Sequence, residues 1–501
     1  MKPQHEQKRV VIIGAGPAGL TAAYELSKAG VQSTLLEKDN VVGGISRTVH
    51  HKGYGFDIGG HRFFTKVKPV EDMWNEVMGD DFLLRKRLSR IYYQKKFFYY
   101  PLKPGNALRN LGLLNAAMIL LSYLKAQAFP IKPERNLEEW VTNRFGKRLY
   151  SIFFKTYTEK VWGMPCTEIS AEWSAQRIKG LSLVSALKAA LVKKAQKKGD
   201  VIKTLIDTFH YPRKGPGMMW ERVADIVSSR GSRVMMNSET VNILWSDRVT
   251  GIRIRENGKT RVIEGTDFVS SMPIRELIAR FEPAAPEEVQ AAANKLMYRD
   301  FLTVALIVNR DAFPDNWIYI HDPGVKLGRI QNFKSWSPEL IPDPKTTCLG
   351  LEYFCFEGDG LWNMPDQDLV ELGKKELEIL GLVKASEVIE GSVVRMPKAY
   401  PVYDGDGEYR EALKVVRRFV DGLGNLQLVG RNGMHKYNNQ DHSMLTAMLA
   451  AKNILGAKFD LWGVNVDEEY HEEVKEGDRK SLDDFAKMES TQPRVPEKAK
   501  A

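Results

Sequence analysis

Val10-Val11-Ile12-Ile13-Gly14-Ala15-Gly16-Pro17-Ala18-Gly19 is the stretch that decides the fold. Four β-branched residues without a polar break suit a buried parallel strand. A glycine-rich turn follows at once and leads into Leu20 to Ala29, whose apolar residues recur at helical spacing. Gly14 permits a tight turn, Gly16 lets the backbone approach a pyrophosphate, and Gly19 allows close packing of helix on strand, with the helix N-terminus facing the phosphate charge. A second strand, Ser33-Thr34-Leu35-Leu36, ends in Glu37, placed to accept hydrogen bonds from an adenosine ribose. Strand, turn, helix, second strand and terminal acid together indicate a dinucleotide-binding unit.

Two further glycine pairs lie downstream. Val42-Gly43-Gly44-Ile45-Ser46-Arg47-Thr48 comes directly after the acid, and a glycine pair with an arginine there resembles the segment by which amine oxidases, desaturases and UDP-galactopyranose mutases hold FAD. Phe56-Asp57-Ile58-Gly59-Gly60-His61 then offers a backbone that can lie close against a flat ligand, with His61 beside it. The expectation is FAD rather than NAD as resident cofactor.

With 501 residues the chain divides into two or three domains, and its 43% apolar and 27% charged fractions are those of a globular protein. Cys166, Cys348 and Cys355 are its three cysteines. That odd number, without metal-ligand spacing, points to a reducing cytoplasm and to neither a disulfide framework nor a structural metal. Met1 to Lys8 lacks the apolar core of a secretion signal. Leu111 to Leu124 is shorter than the roughly 20 apolar residues that cross a bilayer. It reads as a buried helix without stable membrane insertion, although Arg109 and Lys125 at its ends would also suit a peripheral membrane role. The net charge of +10 is scattered and carries no nucleic-acid recognition motif, so an anionic small molecule accounts for it best.

Along the chain, Arg90-Ile91-Tyr92-Tyr93 and Phe97-Phe98-Tyr99-Tyr100 read as an aromatic hairpin ended by Pro101 and Pro104. Residues 105–200 are mostly helical, with i, i+3, i+4 spacing in Leu137 to Val141 and Leu149 to Phe154. Val234 to Val241 and Val262 to Ser271 return to the nucleotide-binding layer. Short alternating strands from Leu302 to Cys355 suggest an antiparallel sheet. Leu426 to Gly433 is a strand closing on a glycine turn, followed by a helix from Asp441 to Ile454. The expected architecture is α/β: a Rossmann-type FAD-binding domain from residues 1–104, 201–300 and 420–460, an inserted helical domain at 105–200, an antiparallel-sheet substrate domain at 301–419, and a mobile tail at 485–501.

The ordered set Gly14-x-Gly16-x-x-Gly19, Gly43-Gly44, Gly59-Gly60-His61, Lys160-Val161-Trp162-Gly163, Arg177, Tyr319 with Arg329, Tyr400-Pro401 and Tyr437-Asn438-Asn439-Gln440-Asp441 resembles the UDP-galactopyranose mutases, particularly their longer, eukaryotic-type form. The resemblance implies that His61 lies near the flavin, Trp162 packs along the sugar, and Arg177 and Arg329 bind the diphosphate. It places Tyr319, Tyr400 and Tyr437 near the nucleotide and Asn439 near the sugar. Trp336 stands where the family carries a tyrosine near the phosphates, and the segment around Tyr437 is two residues shorter than in the eukaryotic-type pattern. Around FAD the resemblance also places Pro17, Ala18, Lys38, Ser46, Arg47, Gly60 and Val241, and near the C-terminus Gly430, Arg431, Asn439, Gln440, Asp441 and Ser443.

Two arginines offer planar, permanently charged forks for a departing diphosphate. By resemblance, the activity is interconversion of the pyranose and furanose forms of a nucleotide sugar, UDP-galactose first among them, through a sugar adduct at N5 of reduced FAD. NADPH would be a possible electron donor, without a second glycine motif to hold it. The main alternative is an FAD-dependent oxidoreductase of the amine oxidase, protoporphyrinogen oxidase or desaturase type. A third is an FAD protein without catalysis. The absence of Ser-His-Asp or paired-carboxylate motifs is consistent with cofactor-borne chemistry.

Overall fold

The computed structural model describes residues 8–100, 102–169, 171, 208–403, 407–465 and 480–486. Val10–Ile13 is buried along its length and pairs in parallel on both sides, with Ser33–Leu36 and Asp267–Ser270. Arg233–Met235 and Leu426–Leu428 complete this five-stranded parallel sheet. A strand with partners on both edges and cover on both faces has no polar side, which accounts for its unbroken Val and Ile. The Pro17–Lys28 helix packs against the Gln440–Ile454 and Gly217–Ser229 helices. The expected α/β nucleotide-binding layer is therefore present.

Two stretches assigned to that layer divide between sheets. Arg233–Met235 joins the parallel sheet, but after a turn at Asn237, with φ of 52°, Ser238–Trp245 enters a separate four-stranded sheet. Likewise Lys259–Glu264 belongs to the four-stranded sheet and Asp267–Ser270 to the parallel one.

The seven-stranded sheet is built on Tyr298–Val308, buried at all eleven positions between Thr347–Cys355 and Val388–Pro401. Arg329–Asn332 and Trp317–Ile320 continue it antiparallel. Ser89–Tyr93 then joins Trp317–Ile320 in parallel, and Lys96–Tyr99 closes the edge. The aromatic hairpin thus extends the substrate-side sheet instead of the nucleotide layer in which residues 1–104 were placed. Its turn residues Gln94 and Lys95 take φ of 49° and 58°, the twist that suits a two-residue hairpin. Conversely, the Glu408–Gly422 helix, expected with the substrate sheet, turns Ala412, Val416 and Val420 into the nucleotide-side core.

In the helical region Asn136 caps Leu137–Phe145 by accepting from Glu139 N at 3.0 Å. The expected helix through Leu149 to Phe154 is interrupted by a π-helical turn at Ser151–Lys155 before Thr156–Trp162 resumes. The Pro104–Ala128 helix corrects the expectation of a buried Leu111 to Leu124. Among its described side chains only Ile119 and Ala126 are buried, whereas Leu113 and Leu114 are 79% and 75% exposed. An apolar run makes a core only where another element faces it, and among the described residues none covers this side. From Gly105 to Ala128 the segment is also long and apolar enough, by length and composition, to cross a membrane, but Gly112, with φ of 79° and ψ of 160°, kinks it. The expected tail from residue 487 onward lies outside the described residues.

Candidate functional site

The nucleotide end is shaped by backbone. Gly14 has φ of +97°, and a Cβ on Gly19 would lie 1.8 Å from the Gly14 carbonyl oxygen. Gly16 is free of such crowding: a Cβ there would meet Gly44 Cα at 3.9 Å. The two glycine loops therefore face one another, tied by Gly43 N donating to Ala15 O at 2.9 Å. Pro17 opens the helix behind Gly16, and no side chain caps it, which leaves the first-turn N–H groups to an anion. Glu37 braces the same loop, accepting from Ala15 N at 2.8 Å and from Asp39 N at 3.0 Å. Arg47 is ion-paired with Asp39, Ser46 is buried, Lys38 is exposed, and Val241 is half-buried in Ser238–Trp245.

From the far end of the sheet, Gly430, with φ of +80°, comes close enough that its Cβ would meet Ala18 Cβ at 3.2 Å. Asn439 caps the Gln440–Ile454 helix, with His442 answering from inside the first turn. Ser443 and Asp441 are buried behind it. Among the described residues three buried polar atoms here have no hydrogen-bond partner, His61 Nδ1, Gln440 Nε2 and Asp441 Oδ1, the last lying 3.6 Å from His442 Nδ1. Buried polar groups left without partners are rare. Together with the uncapped helix and paired glycine loops, they fit an extended polar cofactor such as FAD.

His61 joins this end to the substrate side. Burial, then the nearby Arg431 and Arg329 guanidiniums, lower its pKa to about 3, so the imidazole is neutral at physiological pH. Arg329 Nε donates to Glu352 Oε2 at 2.6 Å, and Gln331 Nε2 donates to Glu352 Oε1 at 2.7 Å. Burial works against the arginine's charge, but Glu352, Tyr157, Tyr400 and Tyr319 together outweigh it and hold the guanidinium well above its ordinary value. Burial raises the Glu352 carboxyl above its usual range, against the pull of Arg329 and Gln331. Among the described residues the Nη groups of Arg329 donate to no protein acceptor, so the outer edge of the fork remains for a ligand.

Aromatic rings line the surroundings. Tyr319 lies edge-on to Tyr157 at 5.4 Å, with Arg329 6.0 Å above its ring. Tyr400 stacks on Tyr437 at 5.6 Å, and Arg431 sits over both rings, at 5.3 and 4.9 Å. Trp162 ends the Thr156–Trp162 helix. The structure thus gathers His61, Arg329, Tyr319, Tyr400, Tyr437 and Arg431, all singled out from sequence.

Trp336 is a correction. Its ring is 1% exposed, stacks on Trp317 at 5.4 Å and donates from Nε1 to the Asn316 carbonyl at 2.9 Å. Its one polar group is satisfied inside a core with Phe209 and Tyr211, so it serves packing and not the phosphates. Arg177 lies outside the described residues.

Arg299, Tyr157 and Glu352 escaped the sequence reading, and Lys160 entered it only as part of a motif, with no role of its own. Lys160 Nζ donates to the carbonyls of Ile320, Asp322 and Leu327 at 3.2, 2.7 and 2.9 Å, tying the Tyr319 and Arg329 strands to the helix of Trp162. Burial lowers its pKa to about 8. Arg299 grips the end of that helix through the carbonyls of Val161 and Lys160, at 3.2 and 3.4 Å. Tyr157 and Glu352 complete the set. A lone acid in the apolar strand Cys348 to Cys355 was a usable signal, since a buried charge demands a partner.

A family profile described as flavin containing amine oxidoreductase matches residues 17–455. The chain belongs to this family. An L-amino acid oxidase from Crotalus durissus cumanensis is 25% identical over 335 residues, 62% of each chain, and a phytoene desaturase from Cercospora nicotianae is 39% identical over 59 residues, 12% of this chain and 10% of that one. The chain therefore spans about three fifths of the length of the first of these relatives. Among solved structures, a reduced UDP-galactopyranose mutase superposes with a TM-score of 0.76 at 22% identity, covering 90% of this chain and 96% of that one. Putrescine oxidase with putrescine bound gives 0.58 at 16%, covering 90% and 99%. A fatty acid isomerase from P. acnes gives 0.58 at 14%, covering 89% and 98%. These likenesses establish an α/β FAD-binding fold of the mutase-like kind within the amine oxidase superfamily, a fold shared by oxidases and isomerases alike.

Proposed function

We propose that this flavoprotein is a redox-neutral mutase that interconverts ring forms of a nucleotide-linked hexose, with UDP-galactose the first substrate to test. The observation that carries the reading is the Arg329 guanidinium, fixed on one edge by buried Glu352 and open on the other, among the rings of Tyr319, Tyr400 and Tyr437 beside His61. Reduced FAD, when bound, supplies an electron-rich ring nitrogen that can act as nucleophile. The glycine loops and the uncapped Pro17–Lys28 helix would hold its pyrophosphate, and Gln440, Asp441 and His61 would meet its polar edges.

The chain's own part is positioning and charge. Arg329 takes the diphosphate through its Nη groups and stabilises the negative charge that grows as the sugar–phosphate bond breaks. The stacked Tyr400 and Tyr437 bring phenolic hydroxyls toward the same anion, and burial raises the pKa of Tyr400, which keeps it a protonated donor. Trp162 offers a flat face to the sugar. Neutral His61 adds no charge next to the flavin and can accept or donate a hydrogen bond there. Arg177 is proposed as the second diphosphate arginine.

A second reading draws on the L-amino acid oxidases among the relatives: net oxidation of an amine or amino acid in the same cleft. Anaerobic incubation of dithionite-reduced protein with UDP-galactofuranose separates the two. The mutase reading expects UDP-galactopyranose without an acceptor and no conversion by the oxidised protein. Inertness toward a range of UDP-, GDP- and dTDP-sugars, with hydrogen peroxide formed when the oxidised protein is given an amine and dioxygen, would replace it with the oxidase.

A further inference from the structure

A helix exposed to water normally turns its polar residues outward. The Pro104–Ala128 helix does the reverse. Asn115 Oδ1 accepts from Arg148 Nη2 at 2.7 Å, Ser122 Oγ accepts from Arg148 N at 3.0 Å, and Gln127 Nε2 donates to the Asn143 carbonyl at 2.7 Å. Three of its uncharged polar side chains thus bond to the protein, while Leu113, Leu114, Leu120, Leu121, Leu124 and Phe129 lie 51% to 79% exposed. A Cβ on Gly146 would meet Tyr123 N at 2.7 Å, so the helix is seated lengthwise on its neighbours and does not project from them.

The stretch of chain that carries this face is basic. From Phe82 to Pro133 the chain carries ten Lys or Arg and no Asp or Glu. Lys103, Arg109, Lys125 and Lys132 bracket the leucines, and all four are exposed. A second copy meeting the first through this patch would set like charges against each other, and an anionic peptide of ordinary polarity would leave the leucines wet. We propose that this face docks flat on an anionic lipid bilayer, with the leucines among the acyl chains and the four cations at the phosphate headgroups.

The seating explains why the helix would rest in the interface instead of crossing it. Tyr99 and Tyr100, 39% and 43% exposed, lie just ahead of its first turn, where aromatic rings favour the headgroup level. The Tyr100 ring meets Tyr319 at 5.2 Å, so docking would bring one rim of the candidate site near the membrane surface.

Flotation of the full-length protein with vesicles of phosphatidylglycerol and phosphatidylcholine tests this. The expected result is co-flotation that weakens with salt and is about tenfold lower on phosphatidylcholine alone. Leu114→Glu combined with Leu121→Glu should abolish it with flavin absorbance and Tm unchanged, and Arg109→Gln combined with Lys125→Gln should weaken it. No flotation on anionic vesicles, or equal flotation of both double variants, would overturn the proposal. So would a stable dimer by light scattering that the leucine variant splits into monomers while neither form binds vesicles.

Discussion

The two ends of the candidate site are held by different physics. At the nucleotide end, shape comes from backbone: glycines that no other residue could replace, a helix left uncapped, and loops hydrogen-bonded to each other within a few dozen residues of sequence. At the substrate end, shape comes from buried charges whose partners sit on other elements of the fold. Lys160 reaches the carbonyls of Ile320, Asp322 and Leu327, and Arg329 reaches Glu352 on the neighbouring strand. A backbone cradle is specific about what touches it but indifferent to chemistry. A network of buried charges can be retuned by single substitutions, which suits a family whose members do different chemistry on one fold.

The sharpest contrast should come from breaking each end separately. Gly19→Val drives a side chain into the Gly14 carbonyl, so the protein should purify colourless or unfolded, as read from absorbance near 450 nm against 280 nm. Arg329→Ala should keep its FAD yet lose about 10³-fold in turnover, on the scale of losing a group that stabilises growing negative charge. Comparable colour loss in both variants would erase the distinction drawn here.

Smaller effects sharpen it. Glu352→Gln leaves Arg329 buried against a neutral partner, and roughly 3 kcal/mol of stability should be lost in urea unfolding, with flavin retained until the transition. His321 is buried, stacks on Tyr157 at 5.0 Å, and has its pKa lowered to about 3 by burial and by Lys160. Between pH 6.5 and 3 the unfolded chain therefore binds a proton that the folded chain refuses, and stability is lost as the pH drops through that window. His321→Gln should make that slope shallower by about 1.4 kcal/mol per pH unit. Smallest, Trp336→Phe should cost about 1 kcal/mol in Tm-derived stability and leave KM unchanged, because the ring is enclosed in core. A large rise in KM would return it to the substrate site.

The same division governs what the sequence made readable. The glycine turn, its flanking strands and Gly59-Gly60-His61 were legible because each works through local backbone geometry. Arg329, Tyr319 and Tyr400 were found by resemblance, but the groups that position them were not, since nothing near Lys160 or Glu352 in sequence names a partner more than a hundred residues away or on the next strand. Trp336 misled because a residue between site strands can face either side of the sheet, and its indole faces Trp317. Leu111 to Leu124 misled because hydrophobicity states what a helix avoids, and not which neighbour covers it. The aromatic hairpin was correctly formed but placed in the wrong layer, since pairing with Trp317–Ile320 is a long-range choice.

The central claim is that electrons are borrowed and returned within each cycle. Reducing a known amount of flavin once, anaerobically, and counting furanose-to-pyranose product per flavin tests it most directly. The mutase account predicts many products from each reduced flavin, with the flavin still reduced at the end. One product per reduced flavin, or none until an electron acceptor is added, would contradict it.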